Sequence, residues 1–209
     1  MKTNHTNPVD AIIFDLGGVL IDWSPEYVYL DVFEGNRKKM NAFFEEVCTV
    51  NWNENQDAGY PLAKATEDRV ALFPQFEDLI RIYYGRWEEM LKGAIEESVV
   101  ILNRLFEKEA YKIVALTNWS AETFPIALER FDFLHRFEGI VVSGEEKTRK
   151  PFQDIYQTTL KRFDLNPERS LFIDDNFRNI EAANSLQIQT IHFKSPQQLE
   201  ADLIEMGIL

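Results

Sequence analysis

The sequence predicts an α/β fold: a doubly wound parallel sheet with an inserted, all-helical segment. In the second half of the chain, short apolar runs that end at polar residues alternate with stretches of helical periodicity. This alternation of strand and helix is typical of a parallel sheet with helices on both faces. Nearer the N-terminus, residues 23–92 carry helical periodicity without a convincing strand. The sheet is therefore interrupted once, after its first strand.

The first predicted strand is the apolar run Ala11–Phe14, which stops at Asp15. Apolar runs of this length, bounded by turn residues, indicate buried strands. Gly17 and Gly18 follow, so the backbone there can bend sharply and be approached closely. A carboxylate at the end of a buried strand needs a partner, because burying it alone is costly. On these residues alone, Asp15 either binds a metal, attacks an electrophile or caps the next turn.

The helical segment starts at Ser24 and Pro25, residue types that favour a helix N-cap and a first helical position. Apolar residues at helical spacing continue to Leu91 and predict further helices. The polar stretch Asn51–Gly59 breaks this pattern, and its Asn and Gly content predicts a loop. The loop either faces a ligand or is simply solvated.

The second half of the chain supplies the remaining elements. The predicted strands are Lys112–Leu116, Gly139–Ser143, Ser170–Ile173 and Gln189–His192. The predicted helices begin at Ser98, span Ser120–Phe131, Phe152–Phe163 and Phe177–Leu186, and begin again at Ser195. The last helix opens with a capping box, in which Pro196 takes the first helical position and Gln198 the third. A polar loop is predicted over residues 144–150.

Composition and charge limit which partners and which cellular compartment fit this protein. The formal net charge of the 209 residues is −13, and such a surface repels nucleic acid and anionic membranes. With Cys48 as the single cysteine, no disulfide framework can form, which fits a reducing compartment. The polar N-terminus lacks the apolar region of a signal peptide, and no apolar run approaches a membrane span. We expect a cytoplasmic protein without nucleic-acid or membrane partners.

Four polar signals lie at or just after predicted strand ends. They are Asp15, Thr117–Asn118, Lys150 and the pair Asp174–Asp175. Each has an ordinary explanation as a turn, cap or solvated residue. However, the carboxyl ends of parallel strands meet at one edge of a sheet, where ligands bind. Four such signals on one edge predict a single site.

The chemistry of these side chains is that of a phosphoryl site. Asp15 with Asp174 or Asp175 provides oxygen ligands for Mg²⁺, which also relieves their mutual repulsion. Lys150 supplies positive charge, and the Thr117 hydroxyl, the Asn118 amide and backbone N–H groups of the glycine turn supply donors. Asp15 is then placed for in-line attack on phosphorus, which forms a covalent acyl-phosphate.

With these residues in view, the sequence resembles the haloacid dehalogenase-like hydrolase superfamily from Phe14 to about Ala183. Its four motifs are similar to Phe14–Leu20, Leu116–Asn118, Arg149–Pro151 and Phe172–Asn176. Within the superfamily, the pattern is similar to bacterial sugar-phosphate phosphatases such as glucose-1-phosphate phosphatase, and to the N-terminal phosphatase domain of soluble epoxide hydrolases.

The resemblance implies a domain organisation. Residues 8–22 and 93–209 would form a discontinuous Rossmann-like core, and residues 23–92 a helical C1-type cap. The stretch Trp52–Gly59 would be the substrate-facing loop of the cap, with Asp57 and Gly59 at positions that are usually acidic and glycine. Trp23 and Trp119, beside motif ends, are candidates for the pocket wall.

The resemblance also implies roles for the motif residues. Asp15 would be the nucleophile and a metal ligand, and Lys150 would stabilise the charge on Asp15 and on the phosphate. The Mg²⁺ ligands would be completed by the Gly17 carbonyl, Asp174 and Asp175. The phosphoryl oxygens would be bound by Thr117, Asn118, Lys150 and the turn at Gly17 and Gly18.

One position departs from the family pattern. Phosphatases of this family usually carry a second Asp two residues after the nucleophile as general acid and base, whereas this chain has Gly17. Asp22, Glu54 and Asp57 are candidates to replace it. Because general acid–base catalysis contributes roughly 10²–10⁴ in rate, its loss would slow turnover.

Three functions follow, in order of preference. The first is a Mg²⁺-dependent phosphomonoesterase acting on a small phosphorylated metabolite, with a sugar phosphate favoured. The second is a 2-haloacid dehalogenase that uses the same Asp15 nucleophile, although its chemistry leaves the Asp174–Asp175 pair without a purpose. The third is a low-turnover protein that binds phosphate and lost catalysis through Gly17.

Overall fold

Residues 8–209, which the structure describes, form seven strands and eleven α-helices. The structure is a computed structural model. The N-terminal stretch 1–7, on which the expected absence of a signal peptide rests, lies outside the described residues. The strands are β1 (Ala11–Phe14), β2 (Ile21–Trp23), β3 (Leu91–Ala94), β4 (Lys112–Thr117), β5 (Ile140–Val142), β6 (Ser170–Asp174) and β7 (Gln189–His192).

The helices fall into two groups, before and after β3. The first group is α1 (Glu26–Val32), α2 (Arg37–Glu46), α3 (Val50–Asp57), α4 (Leu62–Leu72) and α5 (Glu77–Gly85). The second is α6 (Glu96–Lys108), α7 (Phe124–Arg130), α8 (Ser143–Glu146), α9 (Gln153–Arg162), α10 (Phe177–Ser185) and α11 (Pro196–Glu205). None of these helices combines the length and the apolarity needed to cross a membrane.

The central sheet has the strand order β5-β4-β1-β6-β7, and all neighbouring strands in it are parallel. Alternate side chains of β1 enter the two apolar layers on opposite faces of the sheet, because strand side chains alternate in direction. Ile12 and Phe14 join the larger layer and Ile13 the smaller. The predicted doubly wound, Rossmann-like sheet is confirmed.

The register of the sheet brings three strand ends together. Phe14 at the end of β1 pairs with Ala115 of β4 on one side and with Ile173 of β6 on the other. Thr117 and Asp174 end these neighbouring strands. The polar residues that follow the three strands therefore share one edge, as the sequence predicts.

The segment between β2 and β3 contains helices α1–α5, as the periodicity predicts. The two strands that flank it were not predicted: β2 and β3 form an antiparallel pair, in which Ile21 faces Ala94 and Trp23 faces Leu91. Strands of three and four residues are too short to leave a period in the sequence. The division at residues 23 and 92 into core and cap stays a prediction.

The predicted loop over Asn51–Gly59 is wrong, because helix α3 occupies most of it. The Thr49 hydroxyl accepts a hydrogen bond from the Trp52 N–H and so caps the helix N-terminus. Trp52 is buried against the rings of Tyr83 and Tyr84. Burial of one aromatic face by tertiary contacts outweighs the polar composition of the stretch.

Several predicted helix starts also shift. Ser98 lies inside α6 and is fully buried, since that helix begins at Glu96. Ser120 precedes a turn, and α7 begins only at Phe124. The predicted loop over residues 144–150 opens with the short helix α8.

At both ends of the chain, serine hydroxyls do accept hydrogen bonds at helix starts. Ser24 accepts from the N–H of Glu26, the first residue of α1. Ser195 accepts from the N–H of Gln198, as the capping box predicts. The Gln198 side chain, however, accepts from the N–H of Lys194 instead of returning to Ser195.

The turn after helix α3 approaches helix α8 at Gly59 and Gly144. Gly59 has a φ of +90°, and a Cβ atom on it would lie 2.7 Å from the carbonyl oxygen of Gly144. Gly35 also has a positive φ, +77°, but a Cβ atom there would meet nothing within 4 Å. The two positions therefore share backbone strain and differ in steric contact.

We predict that Gly59→Ala destabilises the fold more than Gly35→Ala. A left-handed conformation costs a non-glycine residue on the order of 1–2 kcal/mol, and only Gly59 adds a backbone clash. Urea unfolding of both variants measures the difference in free energy of unfolding. Equal losses would show that the contact between Gly59 and Gly144 is not tight.

Candidate active site

Asp15 is a buried carboxylate held at the end of β1. Its backbone N–H donates to the carbonyl oxygen of Ile173 at 2.9 Å, which continues the pairing with β6. Its Oδ1 atom accepts from the N–H of Leu16 at 2.7 Å. The side chain is thereby fixed beside β6, and 7% of the residue surface stays exposed.

Lys150 joins the ends of three strands. Its ammonium lies 2.8 Å from Asp15 Oδ1 and 2.7 Å from Asp174 Oδ2, and it donates to the Leu116 carbonyl oxygen at 3.1 Å. The Lys150 side chain is completely buried. An ammonium group has three donors, and here each has an acceptor, which offsets the cost of burial.

The acidic cluster consists of Asp15, Asp174 and Asp175, whose carboxylate oxygens lie within 4.8 Å of one another. Asp15 and Asp174 are buried, and Asp175 is at the exposed edge. Three carboxylates around one ammonium leave two negative charges uncompensated when all of them are ionised. A divalent cation would balance this charge, and oxygen ligands are those that Mg²⁺ prefers.

The pKa values of the pair at the centre reflect this imbalance. Burial raises the pKa of Asp15 well above its ordinary value, Lys150 acts in the opposite direction, and Asp174 and Asp175 raise it further. Burial alone would lower the pKa of Lys150, but Asp15 and Asp174 outweigh burial and raise it. Lys150 is therefore charged, and the cluster is short of positive charge.

Asn179 holds Asp174 and was not singled out in the sequence. Its amide nitrogen lies 3.0 Å from both carboxylate oxygens of Asp174, and the N–H of Asn176 donates to Asp174 Oδ1 at 2.8 Å. The Tyr156 hydroxyl donates to the Asn179 carbonyl oxygen at 3.0 Å. Asn179 lies in the first turn of α10, and this position after the Asp pair is the only signal that could have found it.

The glycine turn after β1 has one crowded and one open position. Gly18 has a φ of +75°, and a Cβ atom on it would lie 2.5 Å from Asp175 Oδ2. A Cβ atom on Gly17 would meet nothing within 4 Å. Gly18 is thus required by the backbone and by Asp175, whereas Gly17 leaves space beside Asp15.

The Asn118 side chain is engaged by the Lys150 backbone. Its Nδ2 donates to the Lys150 carbonyl oxygen at 3.0 Å, and its Oδ1 accepts from the Lys150 N–H at 2.8 Å. The predicted contact between this amide and a phosphoryl group stays a prediction, as does the one from Thr117, which is buried at the end of β4. The contact that the structure shows is one that orients Lys150.

Helix α3 is bound to the sheet side by charged and polar contacts that the sequence did not reveal. Glu54 is buried and forms ion pairs with Arg149 at 2.8 Å and with Arg178 at 2.5 Å. The Ser143 hydroxyl donates to the carbonyl oxygen of Asp57. These contacts join α3 to residues that follow β5 and β6.

A cavity of about 60 Å³ lies between the helices and the sheet edge. Its wall combines aromatic and polar residues, namely Gly17, Trp23, Asn53, Asp57, Tyr84, Trp87, Asn118, Trp119, Ser120 and Thr123. The indole nitrogens of Trp23 and Trp119 are buried and have no hydrogen-bond partner among the described residues. Buried donors of this kind call for a polar partner, which a bound ligand could supply.

The predicted pocket residues lie in different surroundings. Trp23, Trp119 and Asp57 line the cavity. Trp52 packs against the rings of Tyr83 and Tyr84, and Gly59 approaches Gly144. Within the predicted substrate-facing stretch, Asn53 and Asp57 are on the cavity wall, and the role of this stretch stays a prediction.

His192 lies outside the four motifs in sequence, yet it contacts Asp175 of the fourth. Its Nε2 lies 2.9 Å from the carbonyl oxygen of Asp175. The contact arises because β7 pairs with β6, with Asp174 opposite His192. The strand order, which cannot be read from the sequence, brings these two residues together.

Comparisons with known proteins identify the family of this chain. Residues 12–193 match the family described as haloacid dehalogenase-like hydrolase. The chain belongs to this family. The match confirms the predicted family and the class of hydrolases. A protein of Thermotoga maritima named phosphorylated carbohydrates phosphatase is 24% identical over 191 residues, which cover 88% of this chain and 84% of the relative.

Solved structures of the family share the fold. A predicted hydrolase of the family from Porphyromonas gingivalis is 19% identical, with a TM-score of 0.73, and the match covers 96% of this chain and 98% of that one. A family enzyme from Bacteroides thetaiotaomicron, solved in complex with magnesium and inorganic phosphate, is 21% identical, with a TM-score of 0.67. That match covers 90% of this chain and 95% of the other.

We predict that Lys150→Met destabilises the folded protein strongly at neutral pH in the absence of metal. Removing one partner of a buried ion pair costs on the order of 3–5 kcal/mol, and here two carboxylates lose their cation. The loss should shrink towards pH 4, because carboxyls with raised pKa values then bind protons. Urea unfolding at each pH measures the loss in free energy of unfolding. Lys161→Met, which replaces an exposed lysine, is the control. Equal stability of both variants at pH 7 would contradict the charge balance described above.

Proposed function

We propose that the protein is a Mg²⁺-dependent phosphomonoesterase that acts on a small phosphorylated metabolite through an aspartyl-phosphate on Asp15. One observation carries the proposal: three carboxylates, two of them buried, lie together around the buried ammonium of Lys150. These carboxylates repel an anionic phosphate that approaches the edge unless positive charge is added. A divalent cation supplies that charge.

Asp15, Asp174, Asp175 and the Gly17 carbonyl would hold Mg²⁺. The donors fit the ion, because they are oxygen atoms and because two negative charges at the cluster lack a partner. When bound, Mg²⁺ neutralises charge on the cluster and on the phosphoryl oxygens. The raised pKa of Asp15 in the metal-free protein would fall as the ion binds.

The chain's own residues would carry the phosphoryl transfer. The free carboxylate oxygen of Asp15 attacks phosphorus in line with the leaving oxygen, and water later cleaves the acyl-phosphate. Lys150 holds Asp15 in place and stabilises the transferring charge. Thr117, Asn118 and the turn at Gly17 and Gly18 would bind the phosphoryl oxygens.

The cavity supports a small, hydroxylated leaving group such as a sugar. Its volume of about 60 Å³ lies well below the roughly 300–1,000 Å³ of common ligand sites. The aromatic rings of Trp23, Trp87 and Trp119 offer apolar faces, and Asn53 and Asp57 offer hydrogen-bonding groups. The name of the Thermotoga maritima relative also favours a phosphorylated carbohydrate.

Two other functions fit less well. A 2-haloacid dehalogenase would attack carbon with Asp15 and would need no metal, which leaves the Asp174–Asp175 pair as a source of repulsion. A phosphate-binding protein without turnover would follow if nothing replaced the acid missing at Gly17. Metal dependence separates the first alternative from phosphatase activity, and formation of a phosphoenzyme separates the second.

We predict that the protein hydrolyses p-nitrophenyl phosphate with Mg²⁺, that EDTA abolishes this activity and that added Mg²⁺ restores it. Asp15→Asn should reduce turnover below detection, because the nucleophile is lost, while the variant stays folded. Phosphate release is the measurement, and halide release from a 2-haloacid is assayed in parallel. Halide release that persists in EDTA, without phosphate release, would overturn the proposed function.

A second measurement concerns the covalent intermediate. Acid quenching during turnover should trap phosphate on Asp15, identified by mass spectrometry of the digested protein. If phosphate binds to the Mg²⁺-loaded protein but neither a phosphoenzyme nor product forms from any phosphorylated sugar tested, the binding protein becomes the better account.

A further inference from the structure

Gly17 raises a chemical question that the site residues leave open. The leaving oxygen of an alkyl phosphate needs a proton, and the water that cleaves the aspartyl-phosphate must lose one. Glycine can do neither. A Cβ atom on Gly17 would meet nothing within 4 Å, so the space beside Asp15 is open to a group from elsewhere in the chain. The sequence offers Asp22, Glu54 and Asp57.

The contacts of two candidates remove them. Both oxygens of Glu54 are taken by arginines, one by Arg149 and one by Arg178. Asp22 accepts the Tyr27 hydroxyl on both of its oxygens, at 2.8 Å and 2.9 Å. Neither residue lines the cavity beside Gly17.

Asp57 is on the cavity wall. Of the described residues that line the cavity, Asp57 alone carries a carboxyl group. Its Oδ2 accepts from the Asn53 amide at 3.1 Å, and the backbone N–H of Ser120 hydrogen-bonds to the carboxyl. Asn53 and Ser120 line the same cavity, so the carboxyl is held at its surface from two sides.

The backbone of Asp57 is fixed as well. It is the last residue of α3, and the Ser143 hydroxyl donates to its carbonyl oxygen. The two ion pairs of Glu54, three residues earlier on the same helix, hold α3 against the sheet side. An acid used in catalysis needs this kind of support, since its geometry must be set before the substrate arrives.

We propose that Asp57 is the general acid and base of the phosphatase reaction and replaces the aspartate that is missing at position 17. The assignment rests on the proposed function. In the first step the Asp57 carboxyl gives its proton to the leaving oxygen as the bond from phosphorus to that oxygen breaks and Asp15 gains the phosphoryl group. In the second step the Asp57 carboxylate takes a proton from a water molecule. The oxygen of that water attacks phosphorus as the bond from phosphorus to Asp15 breaks.

The protonation of Asp57 suits both steps. Burial raises its pKa to about 7 and nearby Glu54 adds to the rise, while Arg149, Lys150 and the Ser120 N–H lower it. Near neutral pH both forms are populated, which is the condition for a group that donates and then accepts a proton. Tyr83 and Tyr84 of α5 also interact electrostatically with Asp57.

The test compares leaving groups in Asp57→Asn. Phosphoenzyme formation is measured in single turnover by acid quench, with glycerol phosphate and with p-nitrophenyl phosphate. Glycerol needs a proton to leave, whereas p-nitrophenolate is stable without one. We expect formation from glycerol phosphate to slow by about 10²–10⁴-fold and formation from p-nitrophenyl phosphate by less than about tenfold. Asp22→Asn is the matched control and should resemble the wild type with both substrates.

Phosphoenzyme breakdown gives a second readout. It should slow to the same extent with both substrates, because they share the intermediate, so that Asp57→Asn releases a burst of p-nitrophenol before a slow steady rate. An equal slowing of phosphoenzyme formation with both substrates, or none with either, would overturn the assignment and leave the phosphatase function intact. Absence of phosphoenzyme and of phosphate release in the wild type would overturn both.

The pH profile separates catalysis from a structural role. The wild-type rate of phosphoenzyme formation from glycerol phosphate should fall as the pH rises through about 7, because the acid loses its proton. Asp57→Asn should lack this fall. Asn53→Ala keeps the carboxyl but removes a donor to its charged form, so the fall should move to higher pH. An unchanged fall in Asp57→Asn would exclude Asp57 as the acid.

Stability provides a readout without turnover. Because the pKa of Asp57 is higher in the folded protein than its ordinary value of 3.8, its contribution to stability is full below pH 3.8 and is lost as the pH rises through about 7. Relative to Asp57→Asn, the wild type should lose at most about 1.4 kcal/mol for each pH unit in this interval, and less where water reaches the carboxyl. A constant difference in free energy of unfolding from pH 4 to pH 8 would show an ordinary carboxyl and count against the proposal.

Discussion

The buried ammonium of Lys150 is the contact on which the site depends. It binds carboxylates that follow β1 and end β6, together with a carbonyl oxygen of β4, and so joins three neighbouring strands at one edge. The cost of burying this charge is offset only while all three acceptors are present. Asn118 fixes the Lys150 backbone from the end of β4. The sheet register and the position of the charges are consequently one constraint, since neither can change without the other.

That constraint sets what the edge of the sheet can bind. With Lys150 shared between Asp15 and Asp174, the cluster remains two positive charges short of balance, and Asp175 stands at its exposed side. The site therefore favours a divalent cation, which would balance these charges. The sheet supplies the charged half of the site, and this half follows from strand ends that any doubly wound fold brings together.

The helices between β2 and β3 supply the other half. Ion pairs from Glu54 and the close approach of Gly59 to Gly144 bring α3 down onto the sheet edge. A small cavity with aromatic and polar walls lies there, and the Asp57 carboxyl and two indole N–H groups are among its polar elements. Under the proposed function, the phosphoryl group would lie against the strand ends and the leaving group against these helices.

The sequence by itself determined the parallel sheet and the residues at its edge. Runs such as Ala11–Phe14 are apolar throughout, because both faces of the sheet are covered, and the polar residues that end them must then meet at one edge. It did not determine helix α3, because the polar stretch becomes helical only when Trp52 is buried against Tyr83 and Tyr84. Nor did it determine the partners of charged groups. Asn179 on Asp174, the arginines on Glu54, and Asp57 alone of three candidate acids at the cavity depend on contacts between distant segments. Periodicity records which face of an element is buried, and only the tertiary structure decides what that face meets.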